Sequence, residues 1–314
     1  MDHGHCLVRN DLRRRCFNSG LMIKRHQMTL CMARIRFQGC SGLWIRSQTV
    51  GCKAKLASMD MRKTCAISQP TFLPWLGWFD LADQADAFVI LDDVTFSKQS
   101  WQQRNRIRTR SGLEFLSIPV KTAGRLGQII SDCELVDQTF VIKLIKSLQA
   151  NYAKAPFFAT AIDELTSTLQ SAASTNRLVE LNCSLISWMA SRLGVMTPFI
   201  RASTLSAGGK RGEHVAAICD YLGADRYLST AGAEHYLIED KYSFDRRGVQ
   251  VLIHVYEHPQ YVQRFSPFIP FASALDLIFN VGPAAGEVMR SGRRTARALG
   301  ENLQDNSEKL QYEN

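Results

Sequence analysis

Cys65-Ala66-Ile67-Ser68-Gln69-Pro70-Thr71-Phe72-Leu73-Pro74-Trp75-Leu76-Gly77-Trp78-Phe79-Asp80-Leu81-Ala82-Asp83-Gln84-Ala85-Asp86-Ala87-Phe88-Val89-Ile90-Leu91-Asp92-Asp93 is the stretch that decides the fold. Cys65-Ala66-Ile67 reads as a short buried strand. It ends at Gln69-Pro70, because proline cannot donate to a central ladder. Trp75 to Ala82 reads as a helix, and Ala87 to Leu91 as a second apolar strand without alternation, the mark of a strand covered on both faces. The connection is long enough for a right-handed crossover, which makes the two strands parallel. Gln69 and Asp92-Asp93 are then the first polar residues beyond the same carboxyl edge, where open α/β sheets bind ligands.

Working outward, Trp101 to Arg110 alternates, with Arg104, Arg106, Arg108 and Arg110 on one face and Asn105, Ile107 and Thr109 on the other. Leu113 to Val120 follows Ser111-Gly112, so a hairpin is expected. Phe140, Val141, Leu144, Ile145 and Leu148 form a helical stripe, and a further helix runs from Arg177 to Leu193 with Gly194 as its stop. Met196 to Arg201 reads as an edge strand, because it contains Pro198. A helix over 213–222, a strand at 226–228, a short helix after Gly232, an alternating strand over 249–255 and a core helix over 273–280 complete the pattern. Strands alternating with helices predict an α/β fold, a mostly parallel Rossmann-like sheet with flanking helices plus a β-hairpin.

The chain of 314 residues carries a net charge of +9, with 46% apolar and 21% charged residues, an ordinary globular composition. The charge is unevenly placed. Residues 1–60 hold eleven Lys/Arg against three Asp, leaving 27 basic and 26 acidic residues for 61–314. A near-neutral body argues against a nucleic-acid partner. Residues 1–60 contain no Pro and no Glu and show no sustained period, so they read as a disordered, non-globular leader. That leader is either upstream sequence joined by an early start, with Met59 and Met61 as later starts, or a targeting or regulatory arm. Residues 61–299 form the expected domain, and 300–314 a flexible polar tail. No apolar run reaches 18 residues, so no membrane span is expected. Cys65, Cys133, Cys183 and Cys219 are widely separated, with no Cys-x-x-Cys pair. This suits a reducing cytoplasm and argues against a structural zinc; the metal set is empty.

Gln69 to Phe79, Ala85-Asp86, Leu91-Asp92-Asp93, Lys98, Trp101 and Arg104-Asn105-Arg106-Ile107 resemble the opening signature of the WbqC-like family. The resemblance continues at Pro119-Val120, Leu181-Asn182, Tyr227-Leu228-Ser229, Pro259-Gln260-Tyr261, Phe268 and Ser273-Ala274-Leu275-Asp276, covering about 65–290. The family reads Tyr-Leu-Ser-Gly where this chain has Thr230 and Ala231 before Gly232. The resemblance implies a place in bacterial surface polysaccharide (O-antigen) biosynthesis, with a glycine- or aminoacyl-transfer role. The substrate would be an amino sugar on a nucleotide carrier. The alternative is a non-catalytic nucleotide-sugar-binding protein of the same pathway. No cofactor is named by either line of reasoning.

Within that frame the residues sort by chemistry. Asp92 and Asp93 suit a general base for an incoming amine, or a metal, or simply the capping of the next turn. His258 joins them as a catalytic candidate in a loop beside Tyr261 and Gln263, where a sugar could stack. Arg104 and Arg106 suit bidentate phosphate binding, whereas Arg108 and Arg110 read as charges of a protected edge strand. Gln69, Lys98, Trp101, Asn105 and Ser229 complete the substrate-binding set, although Trp75, Trp78 and Trp101 also suit a core. Gly208-Gly209-Lys210 lacks the first glycine of a P-loop, yet it can place Lys210 and backbone N–H groups at a helix start. His254 reads as a satisfied buried histidine. Ser273 and Asp276 have the spacing of a capping box. Gln69, Asp92, Asp93 and Arg104 are expected to converge on one cleft.

Overall fold

Apolar strands with no polar side must be covered on both faces, and the sheet is built accordingly. The structure, a computed structural model, describes residues 62–301; the expectations for the leader 1–60 and for most of the tail 300–314 lie outside the described residues. The chain runs through β1 (Thr64–Ser68), α1 (Leu76–Asp83) and β2 (Ala87–Ile90), then a hairpin of β3 (Arg104–Thr109) and β4 (Gly112–Ser117). Three longer helices follow: α2 (Thr139–Tyr152), α3 (Phe158–Ser174) and α4 (Leu178–Leu193). Next come β5 (Phe199–Arg201), α5 (Gly212–Tyr221), β6 (Arg226–Ser229), α6 (Glu234–Glu239), α7 (Lys241–Asp245) and β7 (Gln250–Ile253). The described chain closes with α8 (Ala274–Val281), α9 (Ala285–Ser291) and β8 (Arg297–Ala298).

The main sheet has the order β5-β2-β1-β6-β7-β8. Its first five strands are parallel, and β8 runs antiparallel to β7. β1 pairs Ala66 with Phe88 on one side and with Leu228 on the other. The chain therefore builds outward from β1 through β2 to β5, then returns to β1's free side with β6. That reversal is the topological switch point where doubly wound sheets bind ligands. β5 lies at the edge, consistent with Pro198 just before it, whose missing N–H leaves only its carbonyl to accept from Phe88 N at 3.0 Å.

The two faces bury different side chains. Ala66, Phe88, Ile90 and Leu228 pack under α1, α4, α8 and α9, with Phe79, Leu185, Leu277 and Met289. Cys65, Ile67, Val89, Tyr227 and Val251 pack under α5, α6 and α7, with Val215, Ile218, Leu237 and Phe244. The hairpin is a separate two-stranded sheet, Arg106 opposite Phe115. Gly194 ends α4 at φ 65°, a left-handed cap that suits glycine. The 17-residue α3 is the longest of the helices that sequence pattern alone does not announce, α7 and α9 being the others. Its serines and threonines favour turns and caps. Here Ser167 and Thr168 donate back to Asp163 O and Glu164 O, so their hydroxyls cost the helix little.

Candidate functional site

The loop between β1 and α1 is pinned by amides from distant elements. Asn182 of α4 donates to Pro70 O at 2.9 Å and to Gln102 O at 2.8 Å. Asn105 of β3 donates to both Phe72 O and Leu73 O at 2.9 Å. Gln102 donates to Gln69 Oε1 at 2.6 Å and ties the loop to the head of the hairpin. Buried carbonyls must find donors, and these side chains supply them. Asn105, expected to touch substrate, is buried, and the two donors of its amide are spent on this clamp. Gln69 itself is exposed at the carboxyl edge. The indole of Trp75 lies across Gly77, where a Cβ would stand 2.3 Å from the ring, so a helix interior accepts a glycine.

The two aspartates do not act as a pair. Asp92 is fully buried and accepts from Arg201 Nε at 2.6 Å, Ser203 N at 2.9 Å and Ser203 Oγ at 2.8 Å. Arg201 also reaches Glu180 of α4. Asp93 turns to α5, its Oδ2 3.1 Å from His214 Nε2. The two residues lie beyond β2, where the chain bends at Asp93, and their side chains part to different elements. Asp92 is a cap on the segment after β5. Asp93 keeps one buried oxygen, Oδ1, without a partner. The expected cleft of Gln69, Asp92, Asp93 and Arg104 is divided accordingly: Gln69 meets Gln102, and Arg104 lies over the Phe115 ring at 4.6 Å.

The arginine stripe also divides. Arg108 is buried, and its guanidinium donates to the carbonyls of Thr109, Gly112, Phe265 and Pro267. It ties the hairpin to the loop after β7 and is no exposed edge charge. Arg110 is exposed at the turn. Arg104 and Arg106 are half-buried and stacked on aromatic rings, Arg106 over Trp101 at 5.2 Å. Among the described residues neither has a carboxylate partner. Burial pushes the Arg106 pKa below its ordinary value, and its Nε is buried without a partner.

Arg106 O accepts from Ser273 N at 2.8 Å, and Ser273 bridges to Trp75. From Trp75 a row of rings continues through Tyr256 to His254, and through His258 to Tyr261, Phe268 and Phe271. His258 Nδ1 donates to Pro259 O at 3.0 Å, while Nε2 is buried and unpartnered. Burial pushes its pKa down to about 4, so it is a neutral imidazole at neutral pH. Tyr261 and Gln263 converge on the buried Asp276, donating to Oδ2 at 2.8 and 2.9 Å. Asp276 is therefore not half of a capping box. Ser273 caps α8 through Leu275 N, but its own N–H goes to Arg106 O. Burial raises the Asp276 carboxyl above its usual range.

His254 lies one residue beyond β7. Its Nε2 donates to the buried Asp80 Oδ2 at 2.8 Å, and Asp80 Oδ1 accepts from Arg293 Nε at 2.9 Å. Nδ1 has no partner among the described residues and is not among their buried unpartnered atoms. A carboxylate that fixes one nitrogen leaves the other as an oriented lone pair, the arrangement used by histidine bases. Ser229 is buried and its carbonyl accepts from His254 N at 2.7 Å. Lys98 and Lys210 are exposed and stand apart from this cluster's hydrogen bonds. Among the described residues, no group of three His, Cys, Asp or Glu side chains could hold a metal ion.

Sequence pattern marked His254 as buried but missed Asp80, which lies 174 residues away in sequence. It also missed His214, whose only signal is its place on the inward face of α5.

The comparisons with known proteins agree with the resemblance in the motifs. The sequence model of the WbqC-like protein family matches residues 69–288. The chain is 34% identical over 234 residues to Uncharacterized protein Rv1507c of Mycobacterium tuberculosis, covering 74% of this chain and 100% of that protein. No solved structure matches at a significant level. The clamped Gln69–Trp75 loop, the hairpin arginines and the ring-lined loop after β7 all fall inside the matched region, and the chain belongs to the WbqC-like protein family.

Proposed function

We propose that this protein is a cytoplasmic transferase of surface polysaccharide (O-antigen) biosynthesis that moves a small acyl or aminoacyl group onto a nucleotide-linked amino sugar. The observation that carries this reading is the pair Arg104 and Arg106. Both guanidiniums are held against aromatic faces, half-buried, with no carboxylate among the described residues to neutralise them. Stacking leaves the in-plane N–H groups free for the bidentate grip that a diphosphate accepts. Trp101 and Gln69 lie at the head of the same hairpin. No helix of the described chain is long and apolar enough to cross a membrane, which fits a soluble, nucleotide-linked substrate.

The chemistry needs a base as well, because an amine that attacks an acyl carbonyl must lose a proton. With Asp92 sealed in a cap, His254 backed by Asp80 is better placed for that role. The alternative, a binding protein without catalysis, is favoured by one observation, the loss of Asp92 as a base. Titration calorimetry with UDP-N-acetylglucosamine and related nucleotide sugars tests the shared part. Arg104→Ala and Arg106→Ala should each weaken binding by about 1–3 kcal/mol while the fold persists. Unchanged affinity with both removed would reject the phosphate site. If binding is lost with the arginines but His254→Ala leaves transfer untouched, His254 is not the base.

A further inference from the structure

A cavity of about 400 Å3 opens between the turn joining α2 to α3 and residues 262–265. Its walls are apolar at Pro156, Val262 and Phe265, and polar at Lys154, Arg264 and Asn280. Among the described residues, no acidic side chain lines it. Lys154 and Arg264 have neither an ion pair nor a hydrogen bond among the described residues. The Arg264 guanidinium rests over the Phe265 ring at 5.0 Å, and its Nε is buried without a partner. A buried N–H left unpaired costs stability, so its retention calls for an explanation.

No neighbouring polar group bonds to Arg264 Nε among the described residues. Asp276 Oδ2 accepts from Tyr261 and Gln263 while its Oδ1 is buried without a partner, and the Phe265 carbonyl accepts from Arg108. Asn280 donates to Asp276 O at 2.7 Å, which leaves its side-chain oxygen available to a hydroxyl. We infer that this cavity binds a small organic phosphate of sugar-phosphate size. Arg264 and Lys154 take the phosphate, and Phe265 and Pro156 pack on the ring. The volume falls within the range of about 300–1,000 Å3 typical of small-molecule sites, and apolar walls with few convergent polar groups match their usual make-up.

This site shares no residue with the hairpin arginines, so it stands or falls apart from the proposed function. The test is calorimetric titration of the full chain with glucose 1-phosphate, inorganic phosphate and glucose. Glucose 1-phosphate should bind, and Arg264→Ala and Lys154→Ala should each weaken it about tenfold or more. Arg264→Lys should restore part of that loss, and added salt should weaken binding further. The double variant Arg104→Ala/Arg106→Ala should bind glucose 1-phosphate as the parent does. Lys154 is exposed and Arg264 partly so, and circular dichroism of each variant checks that it is folded. The inference is overturned if the parent binds neither phosphate. Equal binding of glucose, or affinity unchanged in both cavity variants, overturns it as well.

Discussion

His258 sets a measurable acid dependence. Its imidazole sits among Trp75, Tyr261, Phe268 and Phe271, with Nε2 buried and unpartnered. Burial lowers its pKa from 6.5 to about 4 in the folded chain. Between those values the unfolded chain binds a proton that the folded chain refuses. Stability is therefore full above pH 6.5 and is lost as pH falls toward 4. At 1.36 kcal/mol per unit, the window corresponds to about 3 kcal/mol. Glu134 and Glu213, both held down to about 2 by their basic neighbours, titrate below this window. Asp276 is raised and acts in the opposite sense, since its contribution is lost as pH rises through its folded value. The clean measurement is a difference: urea unfolding of the parent and of His258→Phe, which keeps a ring in the stack, across pH 4 to 7. The parent should lose about 3 kcal/mol relative to the variant on acidification. Parallel pH profiles would refute the reasoning, as would a difference that develops only above pH 7.

Three further outcomes are open to direct measurement. Asn182→Ala leaves the carbonyls of Pro70 and Gln102 buried without donors and should cost about 2–4 kcal/mol, read as a lower urea midpoint with unchanged slope. Asp92→Ala strands Arg201 and Ser203 and should destabilise by about 2–4 kcal/mol; full stability with lost ligand binding would instead make Asp92 a binding residue. A chain beginning at Met61 should keep the melting temperature of the full chain; a drop of several degrees would mean that residues 1–60 contribute to the folded body.

Much of the scaffold is legible in the sequence because its signals are local. Two apolar runs joined by a crossover predict parallel neighbours, and Ala66 indeed lies opposite Phe88. Pro198 marks an edge strand and Gly194 a helix stop, each through the geometry of one residue. The site is less legible because its contacts are not local. Asp92-Asp93 looks like a unit when written in a line, yet the chain beyond β2 sends the first to Arg201 and the second to His214. The stripe Arg104-Arg106-Arg108 has one period, but only Arg108 meets the carbonyls of Phe265 and Pro267. Ser273 and Asp276 have capping-box spacing, and the box fails because a strand and a loop compete for its donors and acceptors. No periodicity announces that α1 supplies a carboxylate to His254.

The amide clamp on residues 69–75 also bears on the order of folding. Its donors come from positions 33 residues away, at Gln102 and Asn105, and 112 residues away, at Asn182. Closing such spans costs chain entropy that local structure cannot recover early. The segment can settle only after the hairpin and α4 have both docked, which makes it a late step. The geometry of the proposed substrate site and complete folding are thereby joined. A chain with a formed sheet but an undocked α4 would hold its helices and strands yet leave this segment open to proteases. Cleavage between Gln69 and Trp75 should accordingly report on global opening rather than on local fraying.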